Sequence, residues 1–367
     1  MPRVCVLLST RGSVHGGLET IADHLAAGLV QRGYPVAFVL GTAVGRPRRP
    51  DLPAGRVHQV PVVPRDSALA RALGQAVRLP PLHMQSLSFV LGCLVSRSVR
   101  RVLLSADVSV TFLEAESVLI SRLRRGASIA YLAGAIDLGW ARADRSTRRL
   151  ATSQVVAELY RRHALACDGV LTPGVGADLL AGPPAASGRA GPRLLYVGRL
   201  EPNKRVDFLL SVLQRLLPEF PALSLRLVGQ GPSRGALEQA VETAGLRAHV
   251  SFAGALTREQ VNAELRLADV FVFPSAYESF GTAALEALAT GLPVVASDLP
   301  ALREASGGHA SLAAPNDLDA WQRAIARLLS DPGLRAERVE AGRRWAAGFT
   351  WDRILDQFER VLAQVAC

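Results

Sequence analysis

The sequence predicts an α/β protein built from two doubly wound domains, and three observations lead there. Its 367 residues exceed the roughly 100–200 of a single domain. Strand-like apolar runs alternate with helical stretches through both halves, the pattern of parallel sheets flanked by helices. Between the halves, residues 181–192 (AGPPAASGRAGP) are punctuated by Pro and Gly throughout. They can hold neither a helix nor a central strand, and they read as a linker. The expected domains are therefore residues 1–180 and 193–344. The last stretch, 345–367, places Trp351, Ile354, Leu355, Phe358 and Leu362 at helical spacing along one apolar face.

Taken in order, the first strand is Val4–Leu8. His15-Gly16-Gly17-Leu18-Glu19-Thr20 follows and leads into a helix over residues 21–31. Gly16 and Gly17 let a ligand approach the backbone at a helix N-terminus. Residues 194–199 (LLYVGR) form a strand whose C-terminal end is followed by Leu200-Glu201-Pro202-Asn203-Lys204-Arg205, which gathers cations there. The most informative run is FVFPSAYESFGTAALEALATGLPVVAS, residues 271–297. A strand over 269–273 breaks at Pro274, the turn Ser279-Phe280-Gly281-Thr282 opens an Ala/Leu-rich helix, and a second strand follows over 293–296. Gly281-Thr282 then lies at a helix start, where free N–H groups and the helix dipole favour an anion such as a diphosphate. Glu286 lies about one turn further in, within reach of a ribose. Glu278, just before the turn, can reach a group beyond the phosphates. One carboxylate for each sugar, on either side of an anion site, is what a nucleotide-sugar requires.

The glycine pair with Glu19, GRLEPNK (198–204), LVGQGP (227–232), VSFAG (250–254) and the block from Pro274 to Ser297 together resemble family 4 of the retaining nucleotide-sugar glycosyltransferases. The resemblance covers the C-terminal half almost continuously and the N-terminal half at its first βα unit. It implies the GT-B fold, two Rossmann-like domains facing a central cleft, with the C-terminal helix crossing back to the N-terminal, acceptor-side domain. It also implies a donor domain in the C-terminal half. By the same resemblance Arg199 and Lys204 are the diphosphate cations, Glu278 contacts the sugar, and Glu286 binds the ribose. Ser279, Phe280, Gly281 and Thr282 face the donor, and Gly254 belongs to the segment that contacts the base. Phosphate-binding residues replace a metal site in this family, so neither a metal nor a cofactor is expected. Asp317-Leu318-Asp319 reads as helix capping rather than as a metal motif. Attack from the front face, with the leaving phosphate assisting removal of the acceptor proton, leaves no general base to assign.

One departure bears on the acceptor and another on the diphosphate loop. Many relatives carry a His after the strand over 108–112, where this chain has Leu113-Glu114-Ala115-Glu116-Ser117. Glu114 or Glu116 either contacts a substrate group or caps the helix, and His15 either meets the acceptor or is solvated. Arg205 also stands where the family has Gly, either adding a cation or pointing outward. The expected partners are a nucleotide-sugar donor, UDP-linked in preference to GDP or ADP, and an acceptor that is a small molecule, a saccharide or a lipid-linked saccharide. The competing reading, motivated by the altered turn, is a non-catalytic sugar-nucleotide-binding partner of another transferase. A GT-B-like epimerase fits the Glu-x7-Glu block less well.

Bulk properties narrow the setting. Cys5, Cys93, Cys167 and Cys367 are scattered, which argues against a disulfide framework or zinc site and for a reducing cytoplasm. The net charge of +10 is carried almost wholly by Arg, as codon bias in a GC-rich genome produces. No nucleic-acid-binding motif accompanies it. No run reaches the roughly 18 apolar residues of a spanning helix. The stretch 84–104, apolar over 87–95 and then carrying Arg97, Arg100 and Arg101, reads either as a buried helix with a solvated end or as an interfacial helix. The second reading would bring the protein to the inner face of the membrane.

Overall fold

The computed structural model describes residues 1–9, 17–43, 56–63, 67, 72, 75, 81–123, 126–134, 138–182 and 191–366. The chain forms two compact units, Met1–Pro173 with Trp351–Cys367, and Gly174–Thr350.

In the first unit the elements run β1 (Val4–Leu8), α1 (Gly17–Gln31), β2 (Val36–Ala43), β3 (Arg56–Val62), α2 (Pro81–Val95), α3 (Arg97–Ser105), β4 (Val108–Thr111), α4 (Glu114–Leu123), β5 (Ala127–Leu132), α5 (Leu138–Ala143), β6 (Arg148–Ala151), α6 (Gln154–Arg162) and β7 (Gly169–Val170). The sheet order is β3-β2-β1-β4-β5-β6-β7. Every pairing recorded in it is parallel. Both faces of such a sheet are covered by helices, which is why all five residues of β1 and all four of β4 are buried.

The second unit contains α7 (Ala177–Leu180), β8 (Arg193–Val197), α8 (Val206–Leu216), β9 (Ser224–Val228), α9 (Arg234–Thr243), β10 (Val250–Gly254), α10 (Arg258–Leu267), β11 (Val270–Phe273), α11 (Thr282–Thr290), β12 (Val294–Ser297), α12 (Pro300–Ser306), β13 (Ser311–Ala313), α13 (Leu318–Ser330) and α14 (Pro332–Ala346). Its order, β10-β9-β8-β11-β12-β13, repeats the doubly wound topology of the first sheet. Asp317 caps α13, its carboxylate accepting from the Ala320 N–H at 2.9 Å.

The last helix, α15 (Trp351–Val365), packs in the first unit, and its buried residues are the five expected from the spacing. Trp351 stacks on His24 of α1 with ring centroids 4.4 Å apart. Gly28 of α1 leaves room for Leu355, whose Cδ1 a Cβ there would meet at 2.2 Å. Trp345 belongs instead to α14, donating its indole N–H to Ala305 O at 2.9 Å, so the return to the first unit falls between Thr350 and Trp351.

The segment before the expected linker is held in the second unit. Val175 N–H donates to Phe349 O at 2.7 Å, and Arg343 donates to Leu180 O and Gly182 O at 2.7 and 2.9 Å. Residues 183–190, most of the expected linker, lie outside the described residues.

The apolar stretch 84–104 is two helices rather than one. Ser96 separates α2 from α3 and caps α3. Phe89, Val90 and Cys93 are buried, while Leu91, Val95, Leu104 and the three arginines are exposed. Among the described residues no helix is long and apolar enough to cross a membrane.

Candidate functional site

Strand order in the second sheet reverses between β8 and β11, and the C-terminal edge of an open α/β sheet at such a point is where ligands bind. The segments leaving β8, β9 and β10 are laced together there. Gly198 N–H donates to Val228 O at 3.0 Å, Leu200 N–H to Gln230 O at 2.9 Å, and Gly229 N–H to Gly254 O at 2.8 Å. Such close approach requires glycine. A Cβ on Gly229, where φ is +138°, would lie 1.8 Å from Gly198 O, and one on Gly231 would lie 2.2 Å from Leu200 O. Gly254 adopts φ +72° and exposes its Cα toward Arg234 and Gln230.

Lys204 and Glu278 meet across this edge. Lys204 is the only lysine in the sequence. Its ammonium donates to Glu278 Oε1 at 2.5 Å and sits 5.6 Å from the centre of the Phe273 ring. Ser275 donates to the same carboxylate oxygen at 2.7 Å, and Ala276 N–H donates to Asn203 O at 2.8 Å. The turn after β8 and the turn after β11 are thereby tied together. The pair is largely buried, the side chains being 15% and 10% exposed.

Gly281, at φ +104°, is the N-cap of α11 and provides no capping side chain. The N–H groups of Thr282 and Ala283 have no intrahelical acceptor at such a start, which makes an anion seat. Phe280 is buried, 6.2 Å from the Phe349 ring centre. Glu286 follows one turn later. No hydrogen bond or ion pair among the described residues engages it. Burial pushes its carboxyl above the usual carboxylate range; Arg258 opposes that shift and Asp178 adds to it.

Other expected site residues are placed differently. Arg199 is turned to Glu201 at 2.9 Å, with its carbonyl taking the Tyr196 hydroxyl at 2.8 Å. Arg205 takes the left-handed conformation, φ +51°, and is half-buried. It donates to Pro315 O at 2.9 Å and lies 5.2 Å from the Phe208 ring centre, a bracing role toward α13. In the first unit Gly17 begins α1, while His15 and Gly16 lie outside the described residues. Glu114 is bonded by the Tyr160 hydroxyl. Glu116 is buried and accepts from Ser9 N–H at 3.2 Å, so it is not presented on the surface of the unit. Among the described residues no cluster of three His, Cys, Asp or Glu is gathered that could hold a metal ion.

Sequence reading passed over Ser275, Phe273 and Arg258. The first two lie at the end of β11 and in the turn after it, in a run already singled out. Arg258 is distant in sequence from Glu286 and gave no signal.

Residues 186–345 match the family model for Glycosyl transferases group 1. The match falls within the second unit. The chain is 36% identical over 227 residues to the phosphatidyl-myo-inositol mannosyltransferase of Mycobacterium leprae, covering 59% of each protein. It thus spans somewhat over half the length of that curated relative. Two solved structures share the fold over 99% of this chain. One is sucrose-phosphate synthase from Thermosynechococcus elongatus (TM-score 0.79, 21% identity, 99% of that chain), and the other is Anabaena HepE in complex with UDP and glucose (TM-score 0.78, 19% identity, 100% of that chain). The glycine-laced edge, the Lys204–Glu278 pair and the start of α11 all fall inside the matched residues.

Proposed function

We propose that this chain is a retaining, metal-independent glycosyltransferase. It moves a sugar from a nucleoside-diphosphate sugar, UDP-linked by preference, to a small-molecule, saccharide or lipid-linked acceptor. The observation that carries the reading is the largely buried Lys204–Glu278 pair beside the uncapped start of α11 at a topological switch point. A departing diphosphate gains charge, and a fixed ammonium with free helix N–H groups stabilises that charge most in the transition state. Glu278 then serves the sugar and Glu286 the ribose. Arg199 assists once it leaves Glu201. The acceptor oxygen forms its bond to the anomeric carbon as the bond to the phosphate oxygen breaks, and the acceptor proton passes to the leaving diphosphate. UDP in the HepE complex supports the choice of base. Exposed Leu91, Val95 and Leu104 beside Arg97, Arg100 and Arg101 support peripheral contact with an anionic lipid surface, as does the phosphatidylinositol-directed name of the mannosyltransferase relative.

The test is release of labelled sugar from UDP-, GDP- and ADP-sugars, with and without EDTA and with and without anionic vesicles. Turnover with one donor, unchanged by EDTA, and sedimentation with the vesicles are expected. Turnover that vanishes with EDTA and returns with a divalent ion would overturn the metal-free mechanism, and no turnover with any donor would favour a non-catalytic partner.

A further inference from the structure

The first sheet has its own switch point, between β1 and β4, and a buried polar cluster lies beneath it. Ser9, directly after β1, is held from three sides. A Cβ on Gly41 of β2 would lie 2.6 Å from Ser9 O, so β2 leaves no slack. Gln85 of α2 donates to Ser9 O at 2.6 Å. Glu116 of α4 accepts from Ser9 N–H at 3.2 Å through Oε1. Ser9, Ser86 and Glu116 have no solvent exposure. The hydroxyls of Ser9 and Ser86 adjoin the Glu116 carboxyl, yet Ser9 Oγ, Ser86 Oγ and Glu116 Oε2 are all without a hydrogen bond of standard geometry. No cation among the described residues pairs with this carboxyl. Among the described residues the titratable groups facing the cluster are the buried thiols of Cys5 on β1 and Cys93 on α2, and burial pushes the Cys93 thiol up.

A carboxylate with one backbone donor and no cation is costly to bury, whereas a protonated acid fits: one oxygen accepts and the other has a proton to share with the neighbouring hydroxyls. We propose that Glu116 is a positioning residue, an uncharged acid that fixes the end of β1 through Ser9 and releases that edge when it ionises. Its bearing on turnover rests on the transferase reading above, with the first unit on the acceptor side; its bearing on the fold does not. Burial, offset in part by the bonds from Ser9 and Ser86, pushes the carboxyl up to about 8. The sign follows. An unfolded Glu releases its proton near pH 4.3. Between that pH and about 8 the folded chain retains a proton that the unfolded chain has lost, so stability falls as pH rises and levels off above 8.

The experiment compares the full chain with Glu116→Gln, which keeps the shape and a donor but cannot ionise. The thermal midpoint of the wild type should fall relative to Glu116→Gln from pH 5 to pH 8, and the two curves should run parallel above that. Curves parallel throughout would overturn the proposal whether or not any donor is turned over. Where the chain turns over a donor, the wild type should lose kcat on the alkaline side. Glu116→Gln should not, and nucleotide affinity should be equal in both. An alkaline loss shared by Glu116→Gln would equally overturn it.

Discussion

Replacing Lys204 by alanine is expected to lower turnover by about 10²–10³-fold, the size of losing one preorganised donor to developing charge. Lys204→Arg is expected to restore little of it. That outcome separates the account from a simple charge requirement, since all other Lys/Arg positions in this sequence are arginine. An ammonium is a compact point charge on a flexible stem, whereas a guanidinium is a wide planar fork. The space between Glu278 Oε1 at 2.5 Å and the Phe273 ring fits the first. The pair also predicts an opposite pair of effects at its other end. Glu278→Gln frees Lys204 from an internal anion, so free nucleoside diphosphate should bind more tightly than it does to the wild type. Sugar release by the same variant should be slower. Steady-state kinetics and calorimetric titration of the three variants read these effects. Full turnover in Lys204→Ala would leave Lys204 a structural partner of Glu278 with no part in the reaction.

Gly229→Ala should cost at least about 3 kcal/mol of stability, combining an unfavourable backbone region with a displaced neighbouring chain. The added carbon would sit 1.8 Å from Gly198 O, and backbone, unlike the tip of a flexible side chain, cannot swing away. Any relief moves the turn that carries Arg199 and Lys204, so nucleotide binding should fall along with stability. Gly235→Ala in α9, where nothing lies within 4 Å of the new Cβ, is the matched control and should be close to neutral. Urea unfolding midpoints of the two variants make the comparison. Equal midpoints would mean that the laced edge yields more easily than its geometry implies.

The parts of the fold that could be read from sequence are those written locally. β1, β4 and β11 are short apolar runs closed by turn residues, and α15 shows its buried face as a spacing of three and four. The start of α11 was legible because Gly281 follows Ser279-Phe280 directly and the helix composition changes there. Tertiary contacts could not be read in this way. Lys204 and Glu278 are 74 residues apart, and nothing local indicates that they bond. Arg205 was ambiguous because an arginine in a left-handed turn is tolerated only where something distant holds it, here Pro315 O and the Phe208 ring. Glu114 and Glu116 looked alike in sequence, both acidic residues at a helix start. Burial separates them, one bonded by Tyr160 and the other sealed under Ser9. The passage between units was obscured for the same reason. The Pro/Gly composition of residues 181–192 is visible, but the bonds from Phe349 and Arg343 that claim Gly174 to Gly182 for the second unit come from the far end of the chain.

In the proposed function the second unit seats a nucleoside diphosphate between the start of α11 and Lys204, with Glu286 on the ribose. Calorimetric titration of UDP, GDP and ADP into the wild type and into Glu286→Ala tests it most directly. One nucleotide should bind the wild type in preference to the others. Glu286→Ala should bind that nucleotide about 10- to 150-fold more weakly, the equivalent of a charged hydrogen bond of about 1.5–3 kcal/mol, without loss of fold. Equal affinity in the two proteins, or no binding of any of the three, would contradict the account.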